Sequence, residues 1–302
     1  MTRISPRVDI AFKKIFGVEE NKDLLISLIN SIVSSEDQVS DVILLNPYNA
    51  KKFSRDKLSI LDIKAQGIDG KRFNIEIQIS DEADYDKRAL YYWAKLYTEQ
   101  LEVAEDYATL SKAIGIHILN FISIPEVDKY HNVFHVTEKE TGERYFKDLE
   151  LHTIELKKFS KDSNEQLPDI VAKVKSSLDM WLAFLTRHDL LQVDKLPKNL
   201  DDNSLKKALT VLEVMNFSST ERDAYEDHLK WLRIEANTLK KAEAKGVEKG
   251  RAEGITIGEV KGKKLGIEQT AINMLKQNLD NSLISSVTGL SSDDILKLKS
   301  KL

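Results

Sequence analysis

Apolar residues recur at helical spacing from Arg7 to Phe16, where Val8, Phe12 and Ile15 line one side. The period returns from Asn21 to Val33 through Leu24, Leu25, Leu28, Ile29 and Ile32. Two helices are expected, the first with Ser5 as N-cap, Pro6 at its first position and Gly17 just past its end. Strand patterns follow. Val42-Ile43-Leu44-Leu45 is a short apolar run stopped by Pro47. Segments 57–66 and 71–80 flank Gly67-Ile68-Asp69-Gly70, which is hairpin chemistry. Segment 84–105 reads as a helix with Ala89, Leu90, Trp93, Leu96, Tyr97 and Leu101 on one side. Ile114, Ile116, Ile118, Phe121 and Ile122 make 113–124 a buried strand, and 132–138 and 151–159 are two more strands.

After Pro168 only helical patterns remain: 169–188, 204–216, and a long charged stretch from Thr220. Within that stretch Gly246, Gly250, Gly254, Gly258, Gly262 and Gly266 recur every fourth residue, six of the chain's 12 glycines. Each glycine costs a helix about 1 kcal/mol relative to alanine. The repeat is either a weak helical or flexible linker, or a close-packed seam between two chains, or a basic arm against phosphates. Polar residues between the glycines exclude a membrane seam. The tail regains helical spacing at Ile272, Leu275, Leu283, Ile284, Val287, Ile295, Leu296 and Leu298, with Ser291 or Ser292 capping its last helix. Two short helices around Thr288-Gly289-Leu290-Ser291 resemble half of a helix-turn-helix and fit DNA contact or an interaction module equally. The organisation expected is an α/β core at 1–165 with a mixed sheet flanked by helices, a helical extension at 166–238, a glycine-repeat basic linker at 239–266 and a small helical module at 267–302.

Composition narrows the chemistry. The 302 residues are 41% hydrophobic and 31% charged, enough for a buried core. Zero cysteines removes thiolate metal sites, disulfides and cysteine nucleophiles. No apolar run is long enough to span a bilayer, and charged Asp9 and Lys13 interrupt any leader-like start, so a soluble cytoplasmic protein is expected. Forty-five basic against 49 acidic side chains give a formal charge of −4, so any contact with nucleic acid uses a local patch. One such patch is 239–264, with eight basic and four acidic residues. No GxxxxGK[ST], strand-placed GxGxxG or GxSxG occurs, so no nucleotide cofactor and no serine-hydrolase elbow is indicated. His131 and His135 stand four apart in a strand region without a carboxylate pattern, which argues against zinc.

The hairpin carries the chemistry. Phe73, Ile75, Ile77 and Ile79 point one way and Asn74, Glu76, Gln78 and Ser80 the other; on the first strand Ile60, Asp62 and Lys64 share a face opposite Leu61, Ile63 and Ala65. A three-residue loop, Ile68-Asp69-Gly70, pairs Gly67 with Lys71 and sets Asp62 against Glu76, and Ile60 against Gln78. Facing carboxylates about 4.5 to 5.5 Å apart at Cβ repel, and a proton, a basic partner or a divalent metal offsets that cost. Hard oxygens of this kind suit Mg²⁺ or Mn²⁺. Gln78, on the same face, can orient water or a phosphate oxygen. The alternative is an exposed sheet face carrying ordinary solvated acids.

These residues also resemble a family. Asp9-x-Ala11-Phe12-Lys13-x-Ile15-Phe16-Gly17, Asp62, Glu76-Ile77-Gln78, Arg88-x-x-x-Tyr92 with Trp93, Gln100-Leu101, Asp106-Tyr107 and strand 114–121 are similar to the PD-(D/E)XK nuclease-family transposases, the Rpn recombination-promoting nucleases. The glycine-every-fourth tail ending in Val287-Thr288-Gly289-Leu290-Ser291 continues the resemblance. It implies a restriction-endonuclease-like core, Mg²⁺-dependent DNA cleavage, and a role in recombination or in mobile-element and phage biology. The motif carries over as Asp62 and Glu76 for the acids and Gln78 for the lysine, with Leu61 where the proline stands. Gln78 cannot bring the charge a lysine brings.

Asp9 is either a third acidic ligand or a helix-dipole partner worth about 0.3 to 1 kcal/mol. Lys13, Lys64 and Arg88 are candidate phosphate contacts, or ordinary surface charges. Tyr91, Tyr92 and Trp93 are core packing or a base-stacking platform. The function expected is a metal-dependent endonuclease working on DNA as a homodimer, since a double-strand cut takes two sites. A catalytically quiet relative that binds DNA or protein through its C-terminal helices is the other reading.

Overall fold

The computed structural model describes residues 4–47, 62–81, 84–160, 164–215 and 217–300. They divide into two compact units, Met1–Leu232 and Arg233–Leu302. In the first, helices α1 (Asp9–Phe16) and α2 (Lys22–Ile32) precede strands β1 (Val42–Leu44), β2 (Ile63–Gly67) and β3 (Arg72–Gln78). Helix α3 (Tyr85–Thr98), β4 (Ala113–Leu119), β5 (His131–Phe134) and β6 (Leu149–Glu155) come next. The six strands form one mixed sheet in the order β1-β2-β3-β4-β6-β5. Strands β3, β4 and β6 run parallel, and α3 supplies the crossover that a parallel β3–β4 pair needs.

The sheet's first face explains its stability. Phe73, Ile75 and Ile77 of β3 and Ile114, Ile116 and Ile118 of β4 share one cluster with Phe12, Phe16, Leu24, Leu28 and Trp181. Helices α4 (Leu156–Phe159), α5 (Leu167–Lys173), α6 (Ser177–Arg187) and α7 (Asn203–Glu213) follow the sheet, and Trp181, Phe184, Leu205 and Leu209 join the same core. Trp181 meets Phe16 edge-on at 5.3 Å.

The hairpin has the register expected of a three-residue loop. Ile63 pairs with Ile75, Lys64 with Asn74 and Ala65 with Phe73, closed by Gly67 N–H donating to the Lys71 carbonyl at 2.9 Å. Gly70 holds a left-handed φ of 85°, and a Cβ there would sit 2.7 Å from the Ser111 hydroxyl. The 57–61 part of the expected strand, Ile60 included, lies outside the described residues.

Several boundaries differ from the sequence reading. The α1 N-cap is Val8 rather than Ser5, because Ser5 to Val8 closes a separate turn and the Ser5 amide donates to the Tyr225 hydroxyl at 3.0 Å. Helix α3 stops at Thr98 instead of 105, where Ala104 takes a φ of 75° and Val103 points fully into solvent. Segment 151–159 divides: β6 ends at Glu155, and Leu156–Phe159 coil into α4 to bury Leu156 and Phe159. The single helix expected at 169–188 is two, since Ser176 and Asp179 form a capping box that starts α6 afresh.

Helix α8 (Ser219–Lys276) runs through the whole glycine repeat. A Cβ added at any of its six glycines would meet nothing within 4 Å. Short helices α9 (Asn281–Thr288) and α10 (Ser292–Lys299) complete the second unit, joined at Gly289 with φ 75° and capped by Ser291. Ala271 and Leu275 of α8 pack there with Ile284 and Ile295.

Candidate active site

The second face of β3 is polar and nevertheless covered. Helix α3 lies across it, with Tyr85 and Ala89 packed on Leu119 and Phe121 and the Trp93 indole donating to the Ala113 carbonyl at 2.7 Å. Glu76 is left 9% exposed, so it is not a solvated surface acid. Carried one step past Ile63–Ile75, the hairpin register sets Asp62 against Glu76.

Helix α1 brings a second acid to the same end of β3. Asp9 is 6% exposed, and burial together with the charge of Glu76 raises its carboxyl pKa to about 7, against the opposing pull of Arg88. A helix N-terminus would lower that pKa, so desolvation and the neighbouring carboxylate outweigh the dipole here. Asp9, Glu76 and Arg88 are thus one electrostatic group.

Arg88 reaches back from α3. Its Nη2 donates to Gln78 Oε1 at 2.7 Å and stands 3.5 Å from Glu76 Oε1, while the guanidinium carbon lies 5.5 Å from the centre of the Tyr85 ring. Gln78 Nε2 donates to the Ser80 carbonyl at 3.1 Å, which fixes the amide so that its oxygen faces Arg88.

Lys13 is turned inward. It is 2% exposed, its ammonium donates to the Asp62 main-chain carbonyl at 2.8 Å, and burial pushes its pKa down to about 8 despite the nearby Asp62 carboxylate. Gly17 makes room for it: a Cβ there would lie 2.8 Å from the Lys13 carbonyl oxygen and 2.9 Å from Lys13 Cγ. Lys64 instead pairs with Glu99 at 3.1 Å. Of the aromatic run, Tyr91 and Tyr92 are exposed and pack on each other, whereas Trp93 stacks on Tyr97.

His117 is a residue the sequence reading did not single out. The parallel register pairs it with Glu76, its ring meets Tyr85 edge-on, and its Nδ1 is 3.8 Å from Glu76 Oε2. Fully buried, with no hydrogen bond to either ring nitrogen among the described residues, it has its pKa lowered to about 4 and is neutral at physiological pH. Its one sequence signal was a lone histidine in the apolar run 113–119.

A separate cluster lies on the sheet's other face, where β6 supplies the carboxylate that the His131–His135 spacing lacked. His152 contacts Glu150 at 2.9 Å and His131 at 2.9 Å, and Glu150 also pairs with Lys112 at 2.9 Å. Among the described residues no group of three or more histidines, cysteines and acids is arranged to hold a metal ion. No helix is long and apolar enough to cross a membrane.

With this geometry in view, the comparison with known families is direct. The family described as PD-(D/E)XK nuclease family transposase matches residues 6–242, and the chain belongs to it. The mixed sheet with its flanking helices and the helical C-terminal region agree with such a core. Membership supports a nuclease or transposase-like role in general terms. No curated protein and no solved structure gave a match.

Proposed function

We propose that the protein is a Mg²⁺-dependent DNA endonuclease, acting in the cytoplasm in recombination or in mobile-element and phage biology. The observation that carries this reading is the buried acid group of Asp9 and Glu76, with Asp62 at the facing register position and Asp9 holding its proton to near neutral pH. Burial and the neighbouring Glu76 carboxylate keep that proton on Asp9. The donors are hard oxygens, and Mg²⁺ is held by one or two protein carboxylates with water and phosphate oxygens completing its shell, so the residues fit the ion. Asp62 and Glu76 would hold it, with Asp9 as the acid beside Glu76. When bound, Mg²⁺, or Mn²⁺ in its place, neutralises phosphate charge and lowers the pKa of a coordinated water.

The chain's own residues then have distinct tasks. Lys13 fixes the main chain at Asp62 through the carbonyl it binds, and α3 keeps bulk water off Glu76. Arg88 and Lys64 meet the DNA backbone. Water adds to phosphorus, the bond to one ester oxygen breaks, and the departing oxygen takes a proton. Two copies acting on one duplex would cut both strands.

Plasmid cleavage with Mg²⁺ or Mn²⁺ tests this, comparing wild type with Asp62→Ala and Glu76→Ala purified in parallel. Nicking by wild type and loss in both variants is expected. Equal nicking by all three, or none by any across several metals and substrates, overturns it; the latter would favour a binding module.

A further inference from the structure

We propose that the α3 face of the sheet carries a chain of bound waters, seated on His117, Thr153 and Asn132, that joins buried Glu76 to solvent at the β5 edge. Its use in catalysis rests on the nuclease reading above, while its existence does not.

The register of the sheet sets these residues in one line. Glu76 pairs with His117, His117 with Thr153, and Thr153 with Asn132. Paired residues share a face, so a single polar row crosses β3, β4, β6 and β5, with neighbours about 5 Å apart.

Four atoms of that row are buried and have no hydrogen-bond partner among the described residues: both His117 ring nitrogens, Thr153 Oγ1 and Asn132 Nδ2. The Tyr85 hydroxyl is a fifth, on the α3 ring that meets His117 edge-on at 5.8 Å. His117 is 1% exposed and Asn132 5%. Glu76 Oε2 stands 3.8 Å from His117 Nδ1, beyond hydrogen-bond reach. A buried polar atom left dry is costly, and native proteins leave few of them. Five on adjoining side chains point to a shared ligand.

The chemistry of the five identifies it. A neutral imidazole offers one donor and one acceptor, the Thr153 and Tyr85 hydroxyls offer both, and Asn132 Nδ2 only donates. An anion would lie against the Glu76 carboxylate, and the described residues hold no group arranged for a metal ion. Water donates and accepts at every position of the row, and a buried water makes about three hydrogen bonds to groups of this kind. One water spans each gap between neighbours.

The cover thins toward β5. Tyr85 and Ala89 of α3 pack over the end of β4, on Leu119 and Phe121. Phe134, two residues beyond Asn132 on the same face, is 42% exposed, so the row reaches solvent there. With DNA over the acids, water consumed by hydrolysis is replaced along this row.

The test uses the full chain without metal, deuterated except at its amides and histidine rings. Magnetisation transfer from water to the amides of 117, 132 and 153 and to the His117 ring is followed, beside thermal unfolding and plasmid cleavage. Wild type is compared with Thr153→Val, which keeps the branched shape and removes the hydroxyl, and with Asn132→Leu. Wild type should show water contacts at all three positions. Thr153→Val should lose those at 153, melt at a lower temperature and cut several-fold more slowly with KM unchanged, and Asn132→Leu should do the same at 132. Absence of water contacts in wild type overturns the inference. So does Thr153→Val that melts at a higher temperature, since the variant would then have removed a dry hydroxyl. Water contacts in wild type with undiminished cleavage by both variants overturn the supply of water to the acids. Wild type that shows the waters but fails to cut overturns the nuclease reading and leaves the chain of waters standing.

Discussion

Strand β3 buries both of its faces, and the two are held by different physics. Toward α1, α2 and α6 it presents Phe73, Ile75 and Ile77, which only need to be apolar and of the right volume. Toward α3 it presents Asn74, Glu76 and Gln78, where every group brought out of water needs a partner and Arg88, His117 and Asp9 supply charge and shape. The first face contributes stability and the second gives some of it back. A pKa raised on Asp9, one lowered on Lys13 and one lowered on His117 all record carboxylates and bases held in unfavourable surroundings. Strain of that sort persists where a site is organised for chemistry.

The contrast can be broken most forcefully from the apolar side. Phe73→Ala should cost about 3–5 kcal/mol, because the core around Phe12 and Phe16 cannot close over the void. Urea unfolding with an unchanged slope and a lower midpoint would register it.

On the polar side the sign reverses. Asp9 is raised in the folded state from 3.8 to about 7, so the folded protein binds more protons than the unfolded one between those values. Stability of the metal-free protein therefore falls as pH rises through that window. Asp9→Asn should remove the fall and stabilise the protein at pH 8 by on the order of 2–4 kcal/mol. Thermal unfolding across pH 4–8 in the presence of a chelator measures it. Lys13 works in the opposite pH range: its pKa is lowered from 10.5 to about 8, so wild type gains stability as pH rises between them, and Lys13→Met should show no such gain.

Two glycines sharpen the comparison at smaller scale. Gly17→Ala forces a methyl against the Lys13 backbone and stem, where neither can give freely, and should cost about 1–3 kcal/mol. Gly258→Ala meets nothing within 4 Å and should instead stabilise its helix by about 1 kcal/mol, read as slower amide exchange around it.

What the sequence disclosed follows the range of the interactions. The β2–β3 register was readable because Gly67-Ile68-Asp69-Gly70 specifies its own turn and strict alternation specifies the faces. The glycine repeat was readable as a pattern, but not that one helix runs through all six glycines. The Arg88–Gln78 contact was not readable, since it depends on how α3 crosses the sheet rather than on any local period. His117 was hidden for the same reason, as its partners sit on β3 and α3. Tyr91 and Tyr92 read as apolar as Trp93 does, yet only the helix's phase against the sheet leaves them outside. Helix ends such as Thr98 and the break at Val174 were set by caps and turns that periodicity does not register.

The tight turn at Gly70 makes loop length a determinant of the site. Side chains on a strand alternate, so one codon gained or lost between Gly67 and Lys71 would exchange the two faces of the hairpin relative to each other. Such an in-frame lesion would leave composition and every helix intact while setting Asp62 away from Glu76. The length of that loop therefore constrains the site more tightly than the identity of exposed Ile68, while Asp69 steadies the turn by accepting from the Lys71 amide and pairing with its ammonium.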